Sequence, residues 1–314
     1  MKSHLVLGTR GSELALRQAE MVEAALRAAH PGIHVEQKII TTIGDKRTDL
    51  RFSEFSTTAH VDKGIFTKEL EVALEAKQID LAVHSLKDVP SELAPTFCIA
   101  AVLPRAHTED VLITREAFSL ESLPPGAKVG TSSVRRLRQL QWRRPDLVGV
   151  EIRGNVPTRV RKVFAPSELD GLLLARAGLE RLGLLDEGVV TLDGLRLPAC
   201  ILACDSFPPA AGQGAIGLET RSEDAATQQL LQAINHPPTL VSVQAEREFL
   251  RLLGAGCQTP VGAQTRIDGA TLHMRVLVFD ESNLTAAPVD AAASASAHEP
   301  LALAAKLAAM VRGH

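Results

Sequence analysis

Residues 79–90, with the sequence IDLAVHSLKDVP, decide how the chain is organised. The first half is a short apolar run, a pattern typical of a strand that is buried on both faces of a parallel sheet. Pro90 has no N–H to donate to a ladder, so it ends the strand. Ser85, Lys87 and Asp88 therefore follow the carboxyl end of a buried strand, where open α/β sheets bind ligands. A Lys beside an Asp is also common in a solvated turn.

Size and composition restrict the classes of protein that the chain can belong to. Its 314 residues, 45% of them hydrophobic, are enough to bury the cores of two or three domains. A net charge of −3 and an aromatic content of 3%, without tyrosine, argue against a nucleic-acid partner. We find no amino-terminal signal sequence and no apolar run of membrane-spanning length, so we expect a cytoplasmic protein without membrane association.

Strand and helix patterns alternate along the first two thirds of the chain, which is the signature of parallel α/β units. They include helices at residues 13–29 and 178–185 and strands at residues 110–114 and 148–153. Pro-rich or Gly-rich segments at residues 104–107 and 206–214 read as two crossings between two such units. Two crossings between two α/β lobes are typical of the type II periplasmic binding proteins. We therefore predict an α/β fold: two hinged α/β domains of type II periplasmic-binding-protein-like topology plus a smaller C-terminal α+β domain.

The same patterns predict the domain boundaries. Domain 1 is discontinuous and comprises residues 1–103 and 205–221, and domain 2 comprises residues 108–199. Domain 3 comprises residues 224–314, with helices at 225–234 and 241–253, antiparallel strands at 261–267 and 272–280, and a closing helix at 300–311. The Ala/Ser-rich stretch 286–297 is low in complexity and carries no predicted element.

Arginines recur at or near the predicted strand-to-helix junctions. They are Arg10, Arg135, Arg136, Arg153, Arg159 and Arg181. Each alone could be a solvated charge, and Ser12, close to Arg10, could simply cap a helix. Arg135 and Arg136 also oppose the dipole of the helix that they open, so an anion should compensate them. Guanidinium groups bind carboxylates and phosphates in bidentate fashion, so the set predicts a ligand with several anionic groups.

Other site chemistries find little support in the sequence. There is no P-loop, no GxGxxG after a strand and no run of residues at metal-ligand spacing. His84 reads as a packed histidine rather than a base. Cys98, Cys200 and Cys204 read as packed thiols. Cys257 differs, because it lies in the glycine-flanked turn GAGCQTP after a long predicted helix and is therefore expected to be exposed.

Several motifs in this order resemble the porphobilinogen deaminase family, whose members are also called hydroxymethylbilane synthases. The motifs are TRGSELAL, HSLKDVP, GTSSVRR, IRGNVPTR, AGLERLG, PAAGQGAIGLE and AEREFLRLLGAGCQTPVGA. They span nearly the whole chain. The resemblance implies a transferase of tetrapyrrole and heme biosynthesis that joins four porphobilinogen molecules head to tail. It would release ammonia at each addition and then free the linear tetrapyrrole with water.

The resemblance also implies a cofactor and a catalytic group. A dipyrromethane primer would be attached through a thioether to Cys257. Asp88 would contact pyrrole nitrogens, assist the loss of the aminomethyl nitrogen and help remove the α-proton after coupling. A preorganised carboxylate suits that work because positive charge develops on the pyrrole.

By the same resemblance, the primer would be held by Lys87, Ser133, Arg135 and Arg136 together with Asp88. Carboxylates of substrate or product would meet Arg10, Ser12, Gln18, Arg153, Arg159 and Arg181. Lys63 belongs to the lid segment, and Phe66 matches an aromatic residue near the primer, although its spacing equally fits a core position. Arg176 stands where a small apolar residue is usual.

The resemblance implies a monomer whose partner is the small molecule porphobilinogen, with neither metal nor nucleic acid. Two alternatives stay open at this point. One is a hinged anion-binding protein without catalysis on the same scaffold, and the other is a paralogue that has lost activity.

Overall fold

The computed structural model describes residues 2–42, 44, 66–116, 118–165, 169–255 and 259–313. The strands are β1 His4–Thr9, β2 His34–Ile39, β3 Leu81–Ser85, β4 Phe97–Val102, β5 Asp110–Thr114, β6 Lys128–Gly130, β7 Val148–Val150, β8 Gly171–Ala175, β9 Leu185–Asp186, β10 Val189–Leu192, β11 Leu195–Leu202, β12 Ile216–Arg221, β13 Val261–Asp268, β14 Thr271–Val278 and β15 Val289–Ser296. The helices are α1 Glu13–Ala29, α2 Lys68–Glu75, α3 Val134–Arg143, α4 Val156–Phe164, α5 Arg176–Arg181, α6 Ala225–Gln232, α7 Pro237–Leu253 and α8 Pro300–Arg312, and a 3₁₀ segment spans Leu86–Asp88. Within these ranges, no helix is both long and apolar enough to cross a membrane.

The chain forms two compact units. The first unit comprises residues 1–106 and 214–257, and the second comprises residues 107–213 and 258–314. The first therefore contains α6 and α7, while the sheet of β13, β14 and β15 belongs to the second. The three-domain boundaries expected from the sequence stay a prediction.

A five-stranded sheet in the order β2-β1-β3-β12-β4 forms the centre of the first unit. Strands β1, β2 and β3 are parallel, whereas β12 runs antiparallel to both β3 and β4. Strand β3 is thus central, and four of its five residues are buried. One face of the sheet packs against α1 and α6 through leucines such as Leu26 and Leu230. The predicted buried strand is confirmed, in a sheet that is mixed rather than wholly parallel.

The second unit repeats this arrangement. Within its seven-stranded sheet, the first five strands follow the order β7-β6-β8-β5-β11. Strands β6, β7 and β8 are parallel, and β5 runs antiparallel to both β8 and β11. In both units an antiparallel strand that is distant in sequence therefore lies beside the central parallel strand. This order is the type II periplasmic-binding-protein topology, so the predicted fold class is confirmed.

A smaller α+β layer completes the second unit. Strands β13, β14 and β15 form an antiparallel meander. Helix α8 covers it with a buried stripe of Leu303, Ala304, Leu307 and Ala308, at the spacing expected for one face of a helix. An antiparallel sheet covered by a helix is the α+β architecture that the sequence predicts for the C-terminal part of the chain.

Helix starts follow the capping residues in the sequence. Ser12, Ser133 and Asn155 accept a hydrogen bond from a backbone N–H in the first turn of α1, α3 and α4. Helix α7 ends at Leu253 and is followed by Gly254, whose φ of 67° is left-handed and suits glycine at that position. Capping side chains thus set the starts of three helices that lie next to candidate site residues.

Some expectations about elements were wrong. Residues 289–296 form β15 although the segment was predicted to carry no element, because Ala and Ser give no alternating apolar signal. The strand predicted for residues 148–153 ends at Val150, so Arg153 lies beyond it. The helix predicted at residues 178–185 begins instead at Arg176 and ends at Arg181. Leu185, the last residue of that predicted helix, lies instead in strand β9.

An ion pair with a buried carboxylate joins α7 to the segment after β4 within the first unit. The guanidinium of Arg105 donates to both carboxylate oxygens of Glu246, at 2.7 and 2.9 Å. The Glu246 side chain is fully buried. Glu248 makes a similar two-point contact with Arg251 at 2.7 and 2.8 Å, but the Arg251 side chain is 46% exposed. The two glutamates therefore share a helix and a geometry and differ in burial.

We expect Glu246→Gln to lower the free energy of unfolding by about 1.5–3 kcal/mol, because two short hydrogen bonds to a fully buried carboxylate lose the charge that strengthens them. Glu248→Gln is the matched control and should cost much less, because water screens that pair. Urea unfolding of both variants measures the difference. Equal losses would show that burial does not determine what these pairs contribute.

Candidate functional site

The carboxyl end of β3 carries the polar residues that the sequence singled out in the first unit. The chain leaves the strand at Ser85 and turns through the 3₁₀ segment, which contains Lys87 and Asp88. Both of these side chains are half-buried. Within the part of the chain that the structure describes, nothing hydrogen-bonds or ion-pairs with the Asp88 carboxylate. Asp88 is thus a partly shielded carboxylate that is accessible to a ligand.

Helix α1 supplies a second polar group to this end of the strand. Gln18 is almost completely buried, and its side-chain nitrogen donates to Ser85 Oγ at 2.8 Å. Ser85 Oγ in turn lies 3.1 Å from Gln18 Oε1 and donates to it in the alternative hydroxyl orientation. Gln18 therefore forms a hydrogen bond to the last residue of the strand that leads into Asp88.

Arg10 and Ser12 lie between β1 and α1, at the junction where the sequence placed them. Ser12 Oγ accepts from the backbone N–H of Ala15 at 3.3 Å and so caps α1. The Arg10 guanidinium lies 4.2 Å from the centroid of the Phe66 ring, a distance typical of a cation–π contact. Phe66 is half-buried and precedes α2. Ser12 thus caps the helix, as one of the two interpretations of the sequence predicted.

In the second unit, one buried carboxylate organises the first two arginines of α3. Asp110 opens β5 and is fully buried. Arg135 Nη2 donates to its Oδ2 at 2.7 Å, and Arg136 donates to its Oδ1 from Nε at 3.0 Å and from Nη2 at 2.7 Å. Gln213 Nε2 also donates to Oδ1, at 2.9 Å. The carboxylate is therefore saturated with donors.

Backbone carbonyls fix the same two guanidinium groups further. Arg135 Nη1 donates to the carbonyl of Pro208 at 2.7 Å, and Arg136 Nη1 donates to that of Leu173 at 3.2 Å. Arg135 Nε is buried, and no described group accepts a hydrogen bond from it. Two cations thus share one carboxylate, which leaves an excess positive charge in a buried cluster.

The charges in this cluster are strongly coupled. Burial alone would raise the pKa of Asp110, but the charges and hydrogen bonds of Arg135 and Arg136 outweigh it and lower the pKa well below its usual range. Burial lowers the pKa of Arg135, while Asp110 opposes that shift. Asp110 supplies part of the negative charge that two arginines at a helix start require. Ser133 Oγ caps the same helix by accepting from the backbone N–H of Arg136 at 3.5 Å.

Arg153 and Arg159 flank the turn that leads into α4. Arg153 lies 3.0 Å from Glu151 at its closest approach, and Arg159 Nε donates to the carbonyl of Gly154 at 2.7 Å. Gly154 has a φ of 110°, a left-handed value that suits glycine in such a turn. Both arginines therefore belong to one short strand-to-helix connection.

Arg181 ends α5 and is largely buried, which lowers its pKa to about 10, while the charge of Glu180 opposes that shift. Glu180 is also bound by Arg176 Nε at 2.8 Å and by His107 Nδ1 at 2.9 Å. Arg176 reaches Glu109 as well, at 3.2 Å. The arginine that stands where the family usually has a small residue is thus part of a surface ion-pair network.

Cys257 and Lys63 lie outside the described residues. Helix α7 ends at Leu253, and the described chain continues to Ala255, which is buried. Among the described residues, His, Cys, Asp and Glu form no group of three that could hold a metal ion. Cys98, Cys200 and Cys204 are free, half-buried thiols.

Two buried carboxylates that contact site elements could not be recognised from the sequence pattern. Asp110 holds Arg135 and Arg136, and the detectable signal was one acidic residue opening the apolar run DVLIT. Glu219 contacts His84, which is packed as the sequence indicated. In the structure, Arg135 and Arg136 bind the same carboxylate. Gln18 contacts Ser85 at the end of β3. Arg153, Arg159 and Arg181 each have their own local surroundings.

Solved structures resemble the chain only loosely. The methionine-binding protein MetQ covers 79% of this chain and 97% of its own, with 12% identity and a TM-score of 0.44. The periplasmic VFT2 domain of Bordetella pertussis BvgS covers 78% of this chain and 91% of its own, with 13% identity and a TM-score of 0.42.

Sequence comparisons are far more specific. Residues 5–229 match the family model described as porphobilinogen deaminase, dipyromethane cofactor binding domain, and residues 240–313 match the porphobilinogen deaminase C-terminal domain. The porphobilinogen deaminase of Syntrophomonas wolfei is 47% identical over 88% of this chain and 85% of its own length. That of Roseiflexus castenholzii is 42% identical over 98% of this chain and 95% of its own. The chain therefore belongs to the porphobilinogen deaminase family.

Proposed function

We propose that Asp88 is the catalytic carboxylate of this chain and that Cys257 carries its dipyrromethane primer through a thioether. Membership of the family makes the chain a transferase with hydroxymethylbilane synthase activity. It condenses four porphobilinogen molecules stepwise on a dipyrromethane cofactor, with release of ammonia, and hydrolysis then frees the linear tetrapyrrole. The observation that carries the residue assignment is the half-buried Asp88 carboxylate, which no described side chain neutralises.

The residues of the second unit fit an anionic cofactor. Each pyrrole of such a primer carries an acetate and a propionate group, and guanidinium binds carboxylates in bidentate fashion. The cluster of Arg135, Arg136 and Asp110 has an excess positive charge and a buried Arg135 Nε without a hydrogen-bond acceptor among the described residues. Both features favour a carboxylate ligand there. We propose that the residues that bind the primer are Lys87, Asp88, Ser133, Arg135 and Arg136.

The bound primer supplies the pyrrole carbon to which the first substrate is joined. The carboxylate of Asp88 stabilises the positive charge that develops on the aminomethylpyrrole of porphobilinogen as ammonia leaves. The same carboxylate would accept the proton that is released when the new carbon–carbon bond has formed. A fixed carboxylate stabilises such charge well because it needs no reorganisation during the reaction. The bond between Gln18 and Ser85 keeps the strand that leads into Asp88 in place.

The remaining basic and polar residues bind carboxylates of substrate or product. They are Arg10, Ser12, Gln18, Arg153, Arg159 and Arg181. A hydrogen bond to a charged group contributes about 1.5–3 kcal/mol, so each arginine affects elongation without determining the fold. We also propose that Lys63 belongs to the lid segment and that Phe66 lies near the primer. The monomeric state and the cytoplasmic location expected from the sequence stay predictions.

Asp88→Asn should reduce turnover of porphobilinogen at least about 100-fold, because the amide cannot stabilise the developing positive charge. The primer should stay attached, so intact mass spectrometry should give the same adduct as in the parent. Asp193→Asn is the control, since Asp193 pairs with Arg161 on an exposed turn and should leave turnover unchanged. Parental turnover in Asp88→Asn would refute the catalytic assignment.

Cys257→Ser should abolish the covalent adduct, because the hydroxyl cannot form the thioether. Cys204→Ser should retain it, since burial raises the pKa of the Cys204 thiol and keeps it protonated and unreactive. Intact mass spectrometry of freshly purified protein separates the two results. An adduct that persists in Cys257→Ser would place the attachment elsewhere.

Asp110→Asn should lower the free energy of unfolding at pH 7 by about 3–5 kcal/mol, because two buried guanidinium groups lose their counter-charge. The folded-state pKa of Asp110 is depressed below the reference value of about 3.9, so its stabilisation is present above that pH. It is lost as the pH falls toward the folded-state pKa. The difference between parent and variant should therefore shrink below about pH 4.

Urea unfolding between pH 7 and pH 3 measures this difference, and intact mass measures the fraction of molecules that carry the primer. We expect that fraction to fall in Asp110→Asn. Asp146→Asn is the control, because Asp146 forms a comparable pair with Arg144 on the surface. A variant with parental stability and full primer content would show that Asp110 does not organise the two arginines.

A further inference from the structure

A buried polar pair lies in the sheet of the first unit, and the proposed reaction does not use it. His84 Nε2 lies 2.8 Å from Glu219 Oε2, and the two side chains are 4% and 0% exposed. His84 is on β3 and Glu219 on the antiparallel neighbour β12. In this register Gly217 is opposite His84, so Glu219, two residues along, projects from the same face.

Stability alone does not account for this pair. Buried ion pairs contribute little compared with well-packed apolar residues of similar size, because both charges must leave water. Neighbouring positions on this face, Ala82 and the helix residues Leu70 and Leu74, form an apolar cluster. Glu219 Oε1 is buried and has no hydrogen-bond partner among the described residues, so the carboxylate is held through one oxygen only. An apolar pair would suit the packing better.

A second carboxyl group lies close to the same pair. Glu71 on α2 has its pKa raised, first by burial and then by the negative charge of Glu219, while a hydrogen bond from Thr67 at 3.1 Å opposes the shift. The charge of His84 also acts on Glu71, as does that of Lys68. Besides His84 and Glu219 themselves, the titratable groups of this neighbourhood in the described residues are therefore Glu71 and Lys68.

The position of the pair indicates what it does. His84 is followed by Ser85, which bonds to Gln18, and then by the 3₁₀ segment that carries Asp88. The pairing of β12 with β4 shifts register between Leu218 and Glu219. Such irregularities re-aim side chains next to functional sites. Packing is also tight there, since a Cβ on Gly217 would come within 2.7 Å of Leu86 Cδ1.

We propose that His84 and Glu219 are positioning residues, whose hydrogen bond fixes the carboxyl end of β3 and thereby the place of Asp88. The inference rests on the proposed role of Asp88. Displacement of a reacting group by about 1 Å can cost up to about 100-fold in rate, so one bond at the strand end has a large effect on turnover.

Steady-state turnover of porphobilinogen by the full chain, normalised to the primer content by intact mass, tests this role. Glu219→Leu should lower kcat at least about tenfold and change KM less than about twofold, because the displaced group acts in the chemical step. Glu219→Gln should restore kcat to within about threefold of the parent, because the amide oxygen still accepts from His84. A purely structural role would lower the folded fraction but leave kcat per primed molecule unchanged.

Thr220→Val is the matched control. Thr220 is the next residue of β12, is fully buried and contacts Cys98 Sγ at 3.6 Å, so its replacement also removes a buried polar group from this strand. It should keep the parental kcat. An equal fall in Thr220→Val would overturn the inference, because the effect would then be general to the strand.

Glu219→Leu leaves His84 buried without an acceptor and could fail to fold. The double variant His84→Leu with Glu219→Leu then decides, because it removes both polar groups and should fold with a low kcat. Parental kcat in either variant, or no rescue by Glu219→Gln, would overturn the positioning role alone. A parent protein that does not turn over porphobilinogen would overturn both the proposed function and this inference.

Discussion

A buried carboxylate on an antiparallel strand is the constraint that both units share. In the first unit Glu219 on β12 contacts His84 on the central strand. In the second unit Asp110 on β5 holds Arg135 and Arg136 at the start of α3. Each antiparallel strand comes from a distant part of the sequence and lies beside the central parallel strand. Each carboxylate therefore connects a strand from a distant part of the chain to an element that carries a proposed site residue: β3 before Asp88 in the first unit, and α3 with Arg135 and Arg136 in the second.

The two carboxylates differ in how fully they are satisfied, and the difference follows from charge. Asp110 accepts several hydrogen bonds from two guanidinium groups and an amide, so the cluster is rigid and still positive. That combination suits recognition of an anion, since the donors are already oriented before the ligand arrives. Among the described residues, Glu219 accepts a side-chain hydrogen bond from His84 alone, which suits a contact that orients one strand end. The two carboxylates therefore have different roles: Asp110 orients two cations, and Glu219 orients one strand end.

Much of the fold could be predicted because local patterns were strong. Helix α1 and strand β5 have the predicted bounds, since amphipathic periodicity, the Ser12 cap and a short apolar run define them locally. Strand β15 escaped prediction because its Ala and Ser residues have no distinct pattern, and it exists through pairing with β14 and coverage by α8. Tertiary context overrides weak local preference in such segments.

The sequence by itself determined the α/β fold class, the site-bearing junctions and the family, because motifs and hydrophobic periodicity are local properties of a chain. Only the tertiary structure decided which charges meet. Asp110 lies 25 and 26 residues before the arginines that it binds, and Glu219 lies 135 residues after His84. No local pattern encodes contacts across such separations. They depend on strand order, on strand register and on the packing of α3 near the start of β5, which bring residues that are distant in the sequence together.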